Sequence, residues 1–177
     1  MRLFIAIDIP SELQQALCRL RSDIPGARWV PDNQIHLTLA FLGEVEANAL
    51  EELQRNLAKI SVPCFQLHFK GTGCFPDRRR PRVLWVGLDP QPLLDGLAAR
   101  VRSAVLSSGI SQEERPFSPH ITLARFKIPA PREVGAFLDK TVKHRYSLFS
   151  VKAFVLFESC LSSSGAIHKE VRSFSLG

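Results

Sequence analysis

His36-Leu37-Thr38-Leu39 and His120-Ile121-Thr122-Leu123 repeat one pattern, His, apolar, Thr, apolar, roughly eighty residues apart. Each lies in a run with β character, Ile35–Phe41 and Ile121–Phe126. Side chains alternate between the two faces of a strand, so His and Thr at i and i+2 share a face. The aliphatic residues between them turn the other way, towards a core. A lone strand histidine is ordinarily a hydrogen-bonded structural residue. Repetition of the whole tetrapeptide predicts instead a duplicated unit that offers two imidazoles and two hydroxyls to a common cleft.

The rest of the chain fits such a duplication. Arg2–Asp8 reads as a buried strand, and a helical pattern follows from Ser11, a candidate cap, through Leu13, Leu17, Leu20 and Ile24 to the stop at Pro25-Gly26. Arg28–Val30 and Ile35–Leu42 are strand-like, and Ala47–Ile60 is amphipathic with helical spacing. Phe65, Leu67 and Phe69 alternate with polar residues as in a half-buried strand, and Gly71–Pro81 reads as turn-rich. Val83–Leu88 is a buried strand, Pro92–Ser107 a helix, and Pro131–Asp139 a short helix. Tyr146–Glu158 and Ile167–Leu176 read as a closing hairpin through the turn residues Ser162-Ser163-Ser164-Gly165. The order strand, helix, motif strand, helix occurs twice. The expected fold is α+β: one domain over residues 1–177 in two pseudo-symmetric lobes, with two antiparallel sheets flanking a central cleft and helices outside.

Composition narrows the setting. Hydrophobic residues make up 45% and charged ones 23%, ordinary for a soluble globular chain, and no apolar run is long enough to span a membrane. Asp8 and Pro10 interrupt the apolar N-terminal stretch, so no secretory signal is expected. Cys18, Cys64, Cys74 and Cys160 form neither a CxxC pair nor a zinc-like spacing; buried, reduced thiols in a cytoplasmic protein are the expectation. The net charge of +6 favours an anionic partner, and Arg78-Arg79-Arg80-Pro81-Arg82 is a candidate electrostatic funnel for a polyanion as well as a solvated loop.

Two imidazoles on one cleft permit a specific chemistry. Histidine titrates near neutrality, so one ring can take a proton from water while the other delivers one to a leaving oxygen. That suits phosphodiester cleavage, with Thr38 and Thr122 donating to non-bridging oxygens. Arg125 is a candidate charge-assisted phosphate contact, although its alternation with Leu123 leaves an ordinary surface salt bridge equally open. Neither His36 nor His120 has a carboxylate or second histidine at metal-ligand spacing, so no metal or other cofactor is expected. The chain carries no glycine-rich phosphate loop and no thiol-catalysis signature. His68, His144 and His168 read as surface residues. Phe41, Trp29, Phe75 and Phe117 are aromatic candidates for stacking a base.

The paired motifs resemble the 2H phosphoesterase superfamily. Arg2–Pro10, Ile35–Glu44 and Arg115–Arg125 resemble in particular its LigT branch, the RNA 2′,3′-cyclic phosphodiesterases, and the order of elements corresponds over nearly the whole chain. The resemblance implies metal-independent opening of an RNA terminal 2′,3′-cyclic phosphate to a 2′-phosphate. It implies His36 as general acid, His120 as general base, and Thr38 and Thr122 as phosphate holders; the residues alone do not divide the two histidine roles. The expected partners are RNA ends or nucleotides bearing a 2′,3′-cyclic phosphate, met by a monomer away from membranes. A small cyclic-nucleotide phosphodiesterase, RNA 2′-5′ ligase activity and a non-catalytic RNA- or nucleotide-binding module stay open.

Overall fold

A continuous apolar run, Leu3 to Ile7, makes the first strand a buried one on both faces. The computed structural model describes residues 1–162 and 165–177. In chain order it comprises β1 (Arg2–Asp8), α1 (Ser11–Cys18), β2 (Ala27–Trp29), β3 (His36–Glu44), α2 (Ala47–Leu57), β4 (Phe65–Leu67) and β5 (Phe69–Phe75). There follow β6 (Val83–Leu88), α3 (Pro92–Ser107), β7 (Ile121–Phe126), α4 (Pro131–Thr141), β8 (Phe149–Val151), β9 (Ala153–Ser162) and β10 (Gly165–Ser175).

The strands form two four-stranded antiparallel sheets, β10-β9-β1-β3 and β2-β7-β6-β5, with a small β4-β8 pair between chain segments. Each sheet holds one motif strand, and β3 and β7 lie against each other where the lobes meet. This is the expected duplicated α+β architecture. The helices interlock the halves: α2 packs beside α3, and α3 also packs on β3. Leu94, Leu97, Val101 and Val105 of α3 are fully buried, and its start is held by Pro92 in the first turn and by the Gln91 side chain, which accepts from the Leu93 N–H at 3.2 Å.

Several local expectations are corrected. The first helix stops at Cys18, because Arg21 turns away to bond the Asp32 carboxylate at 2.6 Å and the Val30 carbonyl at 2.8 Å. Pro10, not Ser11, holds its N-terminal flank, without a side-chain cap. The run from Phe65 to Phe69 breaks into two strands of different sheets, since His68 is diverted to the Asp89 carboxylate at 2.7 Å. The glycine-rich segment that reads as a turn carries β5 on to Phe75. There Gly71, at φ +65°, is the extra residue of a bulge between Lys70 and Thr72. The stretch before the closing hairpin is two strands, β8 and β9, parted at Lys152. Ser163-Ser164, the middle of the expected turn, lies outside the described residues. Of the cysteines, Cys18 and Cys74 are half-buried while Cys64 and Cys160 are exposed, so the thiols are free but not all interior. Burial pushes the Cys18 thiol up to about 11, well away from nucleophilic use.

Candidate active site

His36 opens β3 and His120 immediately precedes β7. The His120 Nδ1 lies 2.7 Å from the carbonyl oxygen of Ser118, two residues back. A carbonyl can only accept, so Nδ1 of His120 carries the proton and its Nε2 is left as the acceptor of the neutral ring. At His36 the backbone of Gln34, again two residues back, favours the protonated ring.

The threonines follow on the same face, and a shared backbone irregularity decides what comes next. In β3 the pairing with β1 runs Asp8↔His36, Ala6↔Thr38 and then Ile5↔Ala40, Phe4↔Phe41, so Leu39 is an extra residue. In β7 the pairing with β6 runs Trp85↔Thr122 and then Leu84↔Ala124, Val83↔Arg125, so Leu123 is extra. A bulge shifts the alternation by one residue. Thr38 and Phe41 therefore share a face, as do Thr122 and Arg125, although each pair is three residues apart. Strict alternation would have turned Arg125 away from Thr122. The bulge turns it into the cleft, where it is exposed and, among the described residues, lies within 4 Å of no carboxylate. Neither threonine hydroxyl is taken up by a protein hydrogen bond among the described residues.

Aromatic surroundings set the electrostatics. The His36 ring stacks on Phe4 at a centroid distance of 4.9 Å and meets His168 edge to face at 5.2 Å. The His120 ring stands on edge against Phe75 at 5.0 Å, with Trp85 at 6.5 Å. Burial, chiefly, pushes both imidazoles below the usual histidine range, and the positive charge of Arg125 adds to the effect at both. One guanidinium thus acts on an imidazole from each lobe. The depression is larger at His36, down to about 4, where His168 also contributes its charge.

The remaining candidates separate clearly. His168 does not sit on the surface: β10 brings it half-buried against His36 and Phe4. His68 is likewise tied down by Asp89, whereas His144 is exposed. Phe41 is 66% exposed on the cleft face, and Phe75 lines His120. Trp29 packs on Phe137 at 5.9 Å and Phe117 packs on the core. In the basic run, Arg78 pairs with Asp139 at 3.0 Å and Arg82 donates to the Lys127 carbonyl, so two of its four arginines serve as structural ties. Sequence reasoning missed His168, Phe4 and Trp85, whose places depend on strand register across the sheets. Trp85 alone left a signal: the glycines at 73 and 87 make room for a large ring. A Cβ at Gly73 would stand 2.2 Å from the indole. Among the described residues no group of three or more His, Cys, Asp or Glu is placed to hold a metal ion, and no helix is long and apolar enough to cross a membrane.

Comparison with known proteins gives the family. The family described as LigT like Phosphoesterase matches twice, over residues 7–85 and 86–168, one match to each half. A protein of Archaeoglobus fulgidus named RNA 2′,3′-cyclic phosphodiesterase is 30% identical over 177 residues, covering 98% of this chain and 99% of its own. One of the same name from Thermus thermophilus is 34% identical, covering 99% and 90%. Among solved structures, E. coli LigT complexed with 3′-AMP superposes with a TM-score of 0.82 at 31% identity, covering 99% of this chain and 97% of that one. A Thermus thermophilus protein superposes at 0.83 with 32% identity, covering the same shares. With both halves matched and relatives aligned from end to end, the chain belongs to the LigT-like phosphoesterases of the 2H superfamily.

Proposed function

We propose that this protein opens the 2′,3′-cyclic phosphate at the end of an RNA strand, leaving a 2′-phosphomonoester, with residues 1–177 acting as one domain of two lobes. The observation that carries this reading is the pair of motif imidazoles, one from each lobe, both within the field of Arg125, with His120 anchored through its Nδ1.

In the proposed reaction the Nε2 of His120 accepts a proton from water as its oxygen attacks phosphorus. The bond from phosphorus to O3′ breaks, and His36, protonated at Nε2, delivers its proton to O3′. The 2′-phosphate stays behind, and the two rings exchange protonation states, to be reset through solvent. Thr38 and Thr122 donate to the non-bridging oxygens, and Arg125 supplies counter-charge. An anionic phosphodiester in the cleft favours the protonated imidazole, so substrate binding itself loads the proton that burial keeps off His36 in the free protein. Proton transfer by positioned imidazoles requires no metal.

The relatives' names support the choice of an RNA end. The test is to incubate the protein, in EDTA, with an oligoribonucleotide ending in 2′,3′-cyclic phosphate and to identify the product. A 2′-phosphate is expected. A 3′-phosphate, dependence on divalent metal, or turnover confined to mononucleotides would overturn the reading.

A further inference from the structure

Beyond His120, the cleft face of the second lobe continues across Trp85 into a cavity of about 600 Å³. Its floor is the half-buried indole of Trp85, laid flat on the sheet over Gly73 and beside Gly87. Its wall is basic: Lys70, Lys143 and Arg145. We infer that this basin holds the RNA strand leading up to the cyclic end, with a base on the indole and a backbone phosphate on Lys143 and Arg145. This rests on the proposed function and adds where the rest of the polymer lies.

Three observations carry the inference. The first is position. The Trp85 and His120 rings are 6.5 Å apart, and Trp85 is the residue paired with Thr122 in the sheet. The basin therefore starts one ring away from the reacting phosphate.

The second is charge. Lys70 is matched by Asp89, but Lys143 and Arg145 are exposed, and among the described residues neither has a carboxylate within 4 Å. Two uncompensated cations beside an aromatic floor are the combination that binds a single strand, since every base has a π-face and every linkage an anion.

The third is order. The segment carrying these cations is bound to the edge of β5: Gly71 donates to the His144 carbonyl at 2.7 Å, Tyr146 donates to the Phe69 carbonyl at 3.1 Å, and Lys70 bridges to Arg145. The cations are thus held along the sheet edge. A cavity of this size is within the usual range for a nucleotide-sized ligand.

The test compares the wild type with Lys143→Ala/Arg145→Ala, a double substitution of exposed residues outside the catalytic group. KM and kcat are measured on a mononucleoside 2′,3′-cyclic phosphate and on a decaribonucleotide with the same end. Binding of a fluorescent decaribonucleotide ending in 2′-phosphate is measured from 50 to 200 mM salt. The double variant should raise the oligomer KM by about tenfold or more, the usual effect of losing charged hydrogen bonds. Oligomer kcat and both mononucleotide constants should be unchanged. The slope of log affinity against log salt should flatten by about 0.7, the contribution of one neutralised phosphate on a single strand. An unchanged oligomer KM and salt slope would show that the strand runs elsewhere, while wild-type turnover would leave the proposed function standing. If the wild type turned over neither substrate, that function would fall, and the salt slope of the binding curves would still decide the basin.

Discussion

The imidazoles of His36 and His168 meet edge to face, with centroids 5.2 Å apart and planes inclined at 65°. His168 comes from β10, the far edge of the sheet from β3, yet its ring reaches the motif histidine over Phe4. A protonated His168 opposes protonation of His36. Burial is the larger cause of the low His36 pKa and would remain, but His168→Phe keeps an aromatic ring there and removes the charge, so that pKa should rise above about 4 while staying below the ordinary value. Titration of the histidine ring signals by NMR in the free protein reads this directly; an unmoved His36 would dissolve the coupling.

Removal of either motif histidine should be costly to turnover. His36→Ala and His120→Ala should each lower kcat by about 10² to 10⁴, the usual range for a general acid or base. The affinity for a 2′-phosphate product should change far less, because Thr38, Thr122 and Arg125 remain. Near-native turnover in either variant would rule out the two-histidine mechanism.

Arg125 reaches the cleft only through the bulge at Leu123. Arg125→Ala should lower kcat/KM by about 10- to 100-fold, and Arg125→Lys should recover part of it, as expected for a charged phosphate contact. Arg125→Ala also removes a positive charge that adds to the effect of burial on both motif histidines, so their titrations should both move up. A variant whose kinetics matched the wild type would return Arg125 to the status of a surface residue.

Stability should depend on pH through His36. Its pKa is about 4 when folded, against an ordinary value near 6.5 when unfolded. Above pH 6.5 the ring is neutral in both states. As pH falls from 6.5 towards 4, the unfolded chain takes up a proton that the folded one refuses, and stability drops by up to about 3 kcal/mol. Urea denaturation between pH 7 and 4 should show this loss, and His36→Asn should flatten it. An equal slope in the variant would assign the loss to other groups.

The indole of Trp85 depends on a missing side chain. A Cβ at Gly73 would stand 2.2 Å from its ring, and one at Gly87 3.2 Å. Gly73→Ala should therefore displace Trp85 and lose activity with about 1 to 3 kcal/mol of stability, as overpacking generally does. Gly87→Ala should do less of both. Tryptophan fluorescence, kinetics and denaturation midpoints together check the ranking, and equal effects at the two glycines would refute it.

The pairs of motifs and the order of elements were legible because they are local. α3 and β7 lie where the apolar spacing puts them, since each buries one contiguous face. Arg125 was undecidable because a bulge depends on the partner strand: Leu123 looks like any other aliphatic until β6 is laid beside it. His168 was misread for a related reason. Its neighbours Ile167 and Lys169 alternate normally, but only the register of β10 on β9 and of β9 on β1 brings it to His36. Gly71 and Gly73 suggested a turn, whereas one accommodates a bulge and the other makes space for an indole.

The two bulges occupy equivalent places after Thr38 and Thr122, yet they deliver different side chains. The first presents Phe41, an open apolar ring, and the second presents Arg125, a cation. A cleft with true two-fold symmetry would accept a phosphodiester equally well in either direction, so that each histidine would meet the leaving oxygen half the time. With a ring on one flank and a positive charge on the other, the duplicated scaffold acquires a head and a tail. In the proposed reaction, the polarity of the bound strand is then set in part by one residue of each repeat.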